Sequence, residues 1–367
     1  MKYILFISCI LINFFFSLGF FQTSFFKEVN KENRNKNINI SPLSAYQVLG
    51  LTANGAKKET LEQMLLALGN SNLEELNLIN TQILSICKQF TTVEIANAIM
   101  TKFRPKQTFM DVADLYESTV EQLYSLSQVN NWCNLKTHGT IPTILDELPG
   151  NVVMILLNAI YFKGSWKTEF DTKNTTKQLF YNLNSQEVYA DTMKLKEKFN
   201  YYEDKDVQIV EMPYTYDSMS AVIFLPNKDT NINEFIDELT DEKLQKFLKR
   251  MNEQIVQIEL PKFKLEFSSE LNNVLQKMGM VTPFKGYADF TGIIDGSIYI
   301  DKVIQKAYLS IDEKGTEASS ATAVVMIKGM APPTYPMIIN RPFLFMLRNK
   351  NFPQNYEMLF MAKIEEL

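Results

Sequence analysis

The sequence predicts an α+β fold organised as one large domain. Three observations lead there. Amphipathic helical stripes dominate the first half of the chain, strand-like runs crowd the second half, and no internal repeat or low-complexity linker divides the 367 residues. Apolar residues make up 46% and charged residues 22%, a balance that supports a buried core rather than a disordered chain.

The elements follow in chain order. The N-terminus reads MKYILFISCILINFFFSLGFF, with Lys2, an apolar stretch from Tyr3 to Ile12, and Ser17-Leu18-Gly19 as a small-x-small cleavage site. That layout predicts a secretory signal peptide over residues 1–19, a secreted protein, and a single domain over residues 20–367. The alternative is an aromatic-rich first helix from about Phe16 to Lys31 in an intracellular chain. Residues 58–69 place Leu61, Met64, Leu65 and Leu68 on one helical face, with Gly69 positioned to stop the helix. A further helix is expected around Leu73 to Phe90. Val152 to Phe162 is a continuous apolar run with β-branched and aromatic members, which predicts a strand buried on both faces. It is too short to span a membrane and contains Asn158.

Ala221 to Leu225, closed by Pro226, reads as another strand, and residues 233–251 read as a third amphipathic helix. Val256, Ile258 and Leu260 alternate with polar residues; Pro261 interrupts, and Phe263, Leu265 and Phe267 alternate again. A helix over 269–279 is expected from the Leu271, Val274, Leu275 and Met278 stripe, ended by Gly279. Met337 to Leu347 and Tyr356 to Ile364 supply a C-terminal strand pair.

Several function classes are excluded early. Lys plus Arg is 37 against 42 for Asp plus Glu, and a net charge of −5 argues against a nucleic-acid binder. The lone histidine, His138, rules out a multi-histidine metal site, and no HExxH, GxSxG, GxGxxG or P-loop pattern occurs. Neither a metal nor a nucleotide cofactor is expected. His138 reads as a surface or cap position beside Gly139 rather than a catalytic base. Cys9, Cys87 and Cys133 contain no CxxC, and free buried thiols are expected.

The most informative stretch is EKGTEASSATAVV, Glu313 to Val325. Past Glu317 it is Ala, Ser, Thr and Val, without Pro, Gly or charge. Met326, Ile327, Lys328, Gly329, Met330, Ala331 and the breaker pair Pro332-Pro333 follow. A surface loop is ordinarily rich in turn formers. This one has strand composition and ends in residues a protease would recognise, which predicts a loop that changes state after cleavage.

Five motifs then resemble those of the serpins, in family order across residues 37 to 364. They are NINISPLS at 37–44, THGTI at 137–141 (with Thr140 where serpins usually carry Lys), LNAIYFKGSW at 157–166 with Phe170, EKGTEA at 313–318, and NRPF at 340–343. The resemblance implies three β-sheets, about nine helices and an exposed reactive-centre loop over about residues 313–336. It also implies a suicide-substrate inhibitor of serine proteases, caught as an acyl-enzyme when the cleaved loop inserts into the large sheet. Such insertion is an established form of β-strand addition. A non-inhibitory serpin acting as carrier, chaperone or storage protein is the alternative, and a hydrolytic enzyme is disfavoured by the histidine count. The partner implied is a target serine protease in a covalent 1:1 complex with a monomer.

An inserted strand must bury alternate side chains. From the hinge at Gly315, the inward face is Thr316, Ala318, Ser320, Thr322, Val324 and Met326, all uncharged. Glu317, Ser319, Ala321, Ala323 and Val325 face outward. The resemblance implies two positions for the reactive bond: the usual serpin hinge length, counted forward from Gly315, gives Gly329–Met330, and the spacing of some family members, counted back from Arg341, gives Lys328–Gly329. Lys328, the one base between Lys314 and Arg341, favours the latter and a trypsin-like target. Ser41, Ser44 and Asn158 match the family's polar cluster under the opening sheet, where many serpins add a histidine and this chain has Gln305. Lys262 and Glu313 match an ion pair at the top of the sheet, beside Trp166. With Lys88 the one base in the Leu73 to Phe90 segment, strong heparin binding is not expected, and Asn174-Thr175-Thr176 is a sequon usable on a secreted chain.

Overall fold

The computed structural model describes residues 21–89, 93–162, 164–316 and 333–367. Among them are nine α-helices: α1 Phe21–Glu32, α2 Pro42–Asn54, α3 Lys58–Leu68, α4 Leu73–Cys87, α5 Gln107–Leu115, α6 Leu126–Lys136, α7 Ile232–Asp237, α8 Asp241–Arg250 and α9 Asn272–Lys277. The strands are β1 Ile38–Ile40, β2 Val93–Thr101, β3 Thr119–Gln122, β4 Met154–Phe162, β5 Gly164–Ser165, β6 Thr176–Tyr181, β7 Glu187–Glu203 and β8 Val207–Pro213. They continue as β9 Met219–Pro226, β10 Asn252–Pro261, β11 Phe263–Glu270, β12 Lys302–Ile311, β13 Gly315–Thr316, β14 Thr334–Ile338, β15 Phe343–Asn349 and β16 Met358–Ile364.

Three sheets result. A five-stranded sheet runs β11-β12-β4-β2-β3; a nine-stranded sheet runs β1-β16-β15-β9-β8-β7-β10-β14 with β6 beside β7; and β13 pairs β5. Helix α2 is buried on every side from Pro42 to Ala53 because it passes between the two large sheets, touching β16 of one and β2 and β4 of the other. A second apolar cluster fills the opposite face of the five-stranded sheet, where Val129, Trp132 and Cys133 of α6 cover Ala96, Ala98, Ile155, Leu157 and Ala159. That double cover explains why β4 is apolar at every position but Asn158.

Local signals set most boundaries. Ser41 caps α2 by accepting from the Ser44 amide, with Pro42 at the first helical position, where its missing N–H leaves no gap. Gly69 ends α3 in the left-handed conformation at φ 75°.

Three expectations need correction. The helix expected over 233–251 is two helices, because Thr240 turns its side chain to cap Lys243 and starts α8 afresh. The helix expected over 269–279 shrinks to α9, since residues up to Glu270 are held in the β11–β12 ladder. Met337 to Leu347 is not one strand. Met337 pairs with Ile258 in β10, whereas β15 pairs with β9 and β16, and Pro342, lacking an N–H, stands at the break. The alternative first helix, expected from about Phe16 to Lys31, is described only from Phe21, as α1; residues 16–20 and the proposed cleavage site lie outside the described residues. Cys133 is buried and Cys87 half-buried, both as free thiols, and burial pushes each up to about 12.

Candidate functional site

The five-stranded sheet holds the site. β12 pairs directly with β4, in parallel, from Lys302 opposite Ile155 to Ala307 opposite Ile160. Above that point the two strands part. Tyr308 to Ile311 keep β11 on one side, and Tyr161 and Phe162 keep β2, yet neither segment pairs with the other. Among the described residues this is a slot between parallel neighbours, closed below and open above, where another strand could enter.

At the closed end lies the polar cluster. Gln305 stands opposite Asn158 across the β12–β4 boundary and both are almost fully buried. Its Oε1 accepts from the Ser41 amide at 2.9 Å, and its Nε2 donates to the Ser41 carbonyl at 2.9 Å and to Asn158 Oδ1 at 2.5 Å. Asn158 Nδ2 donates in turn to Ser44 Oγ and to Asn97 Oδ1. Ser41, Ser44, Asn158 and Gln305 are therefore brought together, tying both strands of the slot to the N-terminus of α2. An unpaired amide here would lose its water for nothing, so each bond is needed to keep the cluster closed.

At the open end the chain leaves β12 through a tight reversal. Asp312 and Gly315 exchange backbone hydrogen bonds of 3.0 and 3.2 Å, and β13 then packs against β5. Gly315 has φ +121°, and a Cβ on it would fall 2.3 Å from the Gly164 carbonyl oxygen, so only glycine fits. The indole of Trp166 donates to the Asp312 carbonyl at 3.0 Å and stacks on Tyr214, centroids 4.4 Å apart. Lys262 meets Glu313 at 2.8 Å, and Thr175 Oγ1 donates to the same carboxylate at 2.8 Å. Burial alone would push the Glu313 carboxyl up, but the bonds from Lys262 and Thr175 hold it below the usual carboxylate range. Trp166, Lys262 and Glu313 thus form one assembly around the base of the loop.

Sequence reasoning missed Asn97, Thr175, Asp312 and Tyr214. Asn97 carried a signal, as an amide inside the apolar strand run IANAIM. The hinge positions Glu317, Ala318, Ser319, Ser320, Ala321 and Thr322, and the bond residues Lys328, Gly329 and Met330, lie outside the described residues. His138 is exposed just past α6 at φ 50°, beside Gly139 at φ 79°. Asn174, the sequon asparagine, is exposed.

Comparison with known proteins agrees with this geometry. The family model described as Serpin (serine protease inhibitor) matches residues 17–367. Iripin-5 of Ixodes ricinus is 31% identical over 90% of this chain and 89% of its own, and human antithrombin-III is 29% identical over 94% and 80%. The crystal structure of tengpin, a thermophilic serpin, in the native state superposes with a TM-score of 0.86 at 30% identity, covering 97% of this chain and 94% of that one.

Proposed function

The chain belongs to the serpin family, whose members mostly act as protease inhibitors, and we propose that it is a suicide-substrate inhibitor of trypsin-like serine endopeptidases. The observation that carries this reading is the β4–β12 pairing, which stops at Ile160 and Ala307 and leaves, beside the base of the loop, a strand position that none of the described residues fills. The loop runs from β13 to β14, and its sequence from Thr316 to Met326 offers that position an uncharged alternating face.

The chemistry needs only the protease's own machinery. Its serine hydroxyl attacks the Lys328 carbonyl, the Lys328–Gly329 bond breaks, and the Gly329 amine leaves with a proton. The ester stays on Lys328. Freed from β14, the loop adds as a strand between β4 and β12, breaking the six register pairs that now join them and regaining ladders on both sides. The polar cluster sets how readily the lower half opens, and the Trp166–Glu313–Lys262 assembly holds the hinge until cleavage. Attack at Gly329–Met330 would match an elastase- or subtilisin-like enzyme instead.

The protein acts as a secreted monomer in a covalent 1:1 complex, with Asn174 available for glycosylation. Helix α4 lacks the bases for a heparin site: Lys88, at its cap, is ion-paired with Glu117.

Incubation with trypsin-, chymotrypsin-, elastase- and subtilisin-like proteases tests the proposal. A complex that survives denaturing electrophoresis is expected, with a released peptide whose mass begins it at Gly329. Thr316→Arg should convert inhibitor to substrate, because a charge would have to enter the sheet first. Clean cleavage without a complex by every protease would favour a carrier or storage role.

A further inference from the structure

Away from the strand slot, a cavity of about 540 Å³ opens between the β6–β7 turn, the loop from β9 to α7, and residues 340–342. Its size falls in the range of small-ligand sites. Its chemistry is one-sided. Arg341 is half-buried and has no carboxylate partner among the described residues; its Nε donates to the Pro226 carbonyl at 2.8 Å and its Nη1 to Asn340 Oδ1 at 3.4 Å. The second terminal nitrogen, Nη2, has no acceptor among the described residues. Three of the four lining amides repeat the pattern; the fourth, Asn227, spends its Nδ2 on the Lys205 carbonyl. The oxygens of Asn182, Asn231 and Asn340 are occupied by the Leu367 amide, the Asn233 amide and Arg341, and their Nδ2 donors have no acceptor among the described residues. Lys228 adds an exposed side chain, Asp229 is the single carboxylate in the lining, and Tyr181, 40% exposed, supplies an aromatic residue.

A donor-rich wall with a desolvated guanidinium calls for an acceptor-rich, negatively charged guest. An aromatic face beside amide donors suits a sugar ring better than a bare ion. We propose that this cavity binds a small acidic sugar, its carboxylate or sulfate facing Arg341 and its ring oxygens facing the amides. The guest would bridge three segments, one of which begins two residues after β14 ends at Ile338 and is tied by the Tyr181 amide to the Asn340 carbonyl at 2.9 Å. Binding therefore fastens the return strand of the loop from below.

Isothermal titration with glucuronate, glucose 6-sulfate, glucose and inorganic sulfate tests this and needs no protease. One or both acidic sugars should saturate a single site, and glucose should bind at least about tenfold more weakly, the worth of a charge-assisted hydrogen bond. The better acidic sugar identifies the oxyanion, and it should raise the thermal midpoint. Arg341→Ala would also remove the bond to Pro226, so Asn231→Asp is the decisive variant. It keeps the helix cap, adds a carboxylate to the wall, and should weaken binding about tenfold or more. The proposal is overturned if neither acidic sugar saturates, if glucose or bare sulfate binds as tightly, or if Asn231→Asp binds like wild type.

Discussion

Replacing Gln305 by alanine should loosen the sheet at the point where the proposed insertion would pass. The side chain makes three buried hydrogen bonds, two to Ser41 and one to Asn158. The Ser41 carbonyl keeps a second donor, the Ala45 amide at 3.2 Å, so its loss is small. The Ser41 amide and Asn158 Oδ1 are left without partners, at ~1–3 kcal/mol each, for a total near 3 kcal/mol. Spread over an unfolding entropy of roughly 2.1 cal/mol/K per residue, that lowers the thermal midpoint by about 4 °C. If the bonds are already broken when the strands part, opening accelerates up to about a hundredfold. The assay is uptake of a synthetic peptide of residues 316–326, followed on native gels, alongside calorimetry. A midpoint within a degree of wild type, with unchanged uptake, would refute the idea that this cluster latches β4 to β12.

Three further outcomes follow from the same geometry. Gln305→His should match wild type at pH 8, where neutral imidazole still offers one donor and one acceptor, and lose stability toward pH 5. Burial disfavours the imidazolium and sets the folded pKa below its free value of about 6.5, so the stabilisation is present above that value and lost as pH falls; thermal midpoints across pH 5–8 check it. Asp241, buried at the start of α8 and bonded by Thr23 at 2.9 Å, is pushed up to about 6 by desolvation. Its contribution is full at acid pH and lost as pH rises through about 6, so Asp241→Asn should stabilise by about 2–3 kcal/mol at pH 8 and by little at pH 4, again by melting. Gly315→Ala should cost about 1–3 kcal/mol at a φ of +121° and push β13 from β5, read as altered Trp166 fluorescence in a Trp132→Phe background.

What could be read from the sequence was local. The α3 stripe with its Gly69 stop and the apolar run of β4 are each set by a few neighbouring residues, and both stand in the structure. The errors came where a local pattern met a longer-range demand. Residues 269–271 had helical spacing, yet β12 held the preceding segment in a ladder to Glu270. The same limit hid parts of the site. Thr175 looked like part of a sequon, and only folding brings its hydroxyl to a carboxylate 138 residues away. Asn97 sits directly opposite Asn158, but strand register is set by turns and burial on both faces, not by either residue alone.

By itself, the sequence determined the α+β class, the family resemblance, the uncharged alternation from Thr316 to Met326, and the glycine on which the loop begins. Periodicity, capping and steric need act over a few residues and are written in order along the chain. Only the tertiary structure decided that β4 and β12 pair directly, that their pairing ends at Ile160 and Ala307, and that Gln305 bridges Ser41 to Asn158 across the boundary. Those facts depend on which distant segments share a sheet, a choice made by burying two faces at once rather than by any local preference.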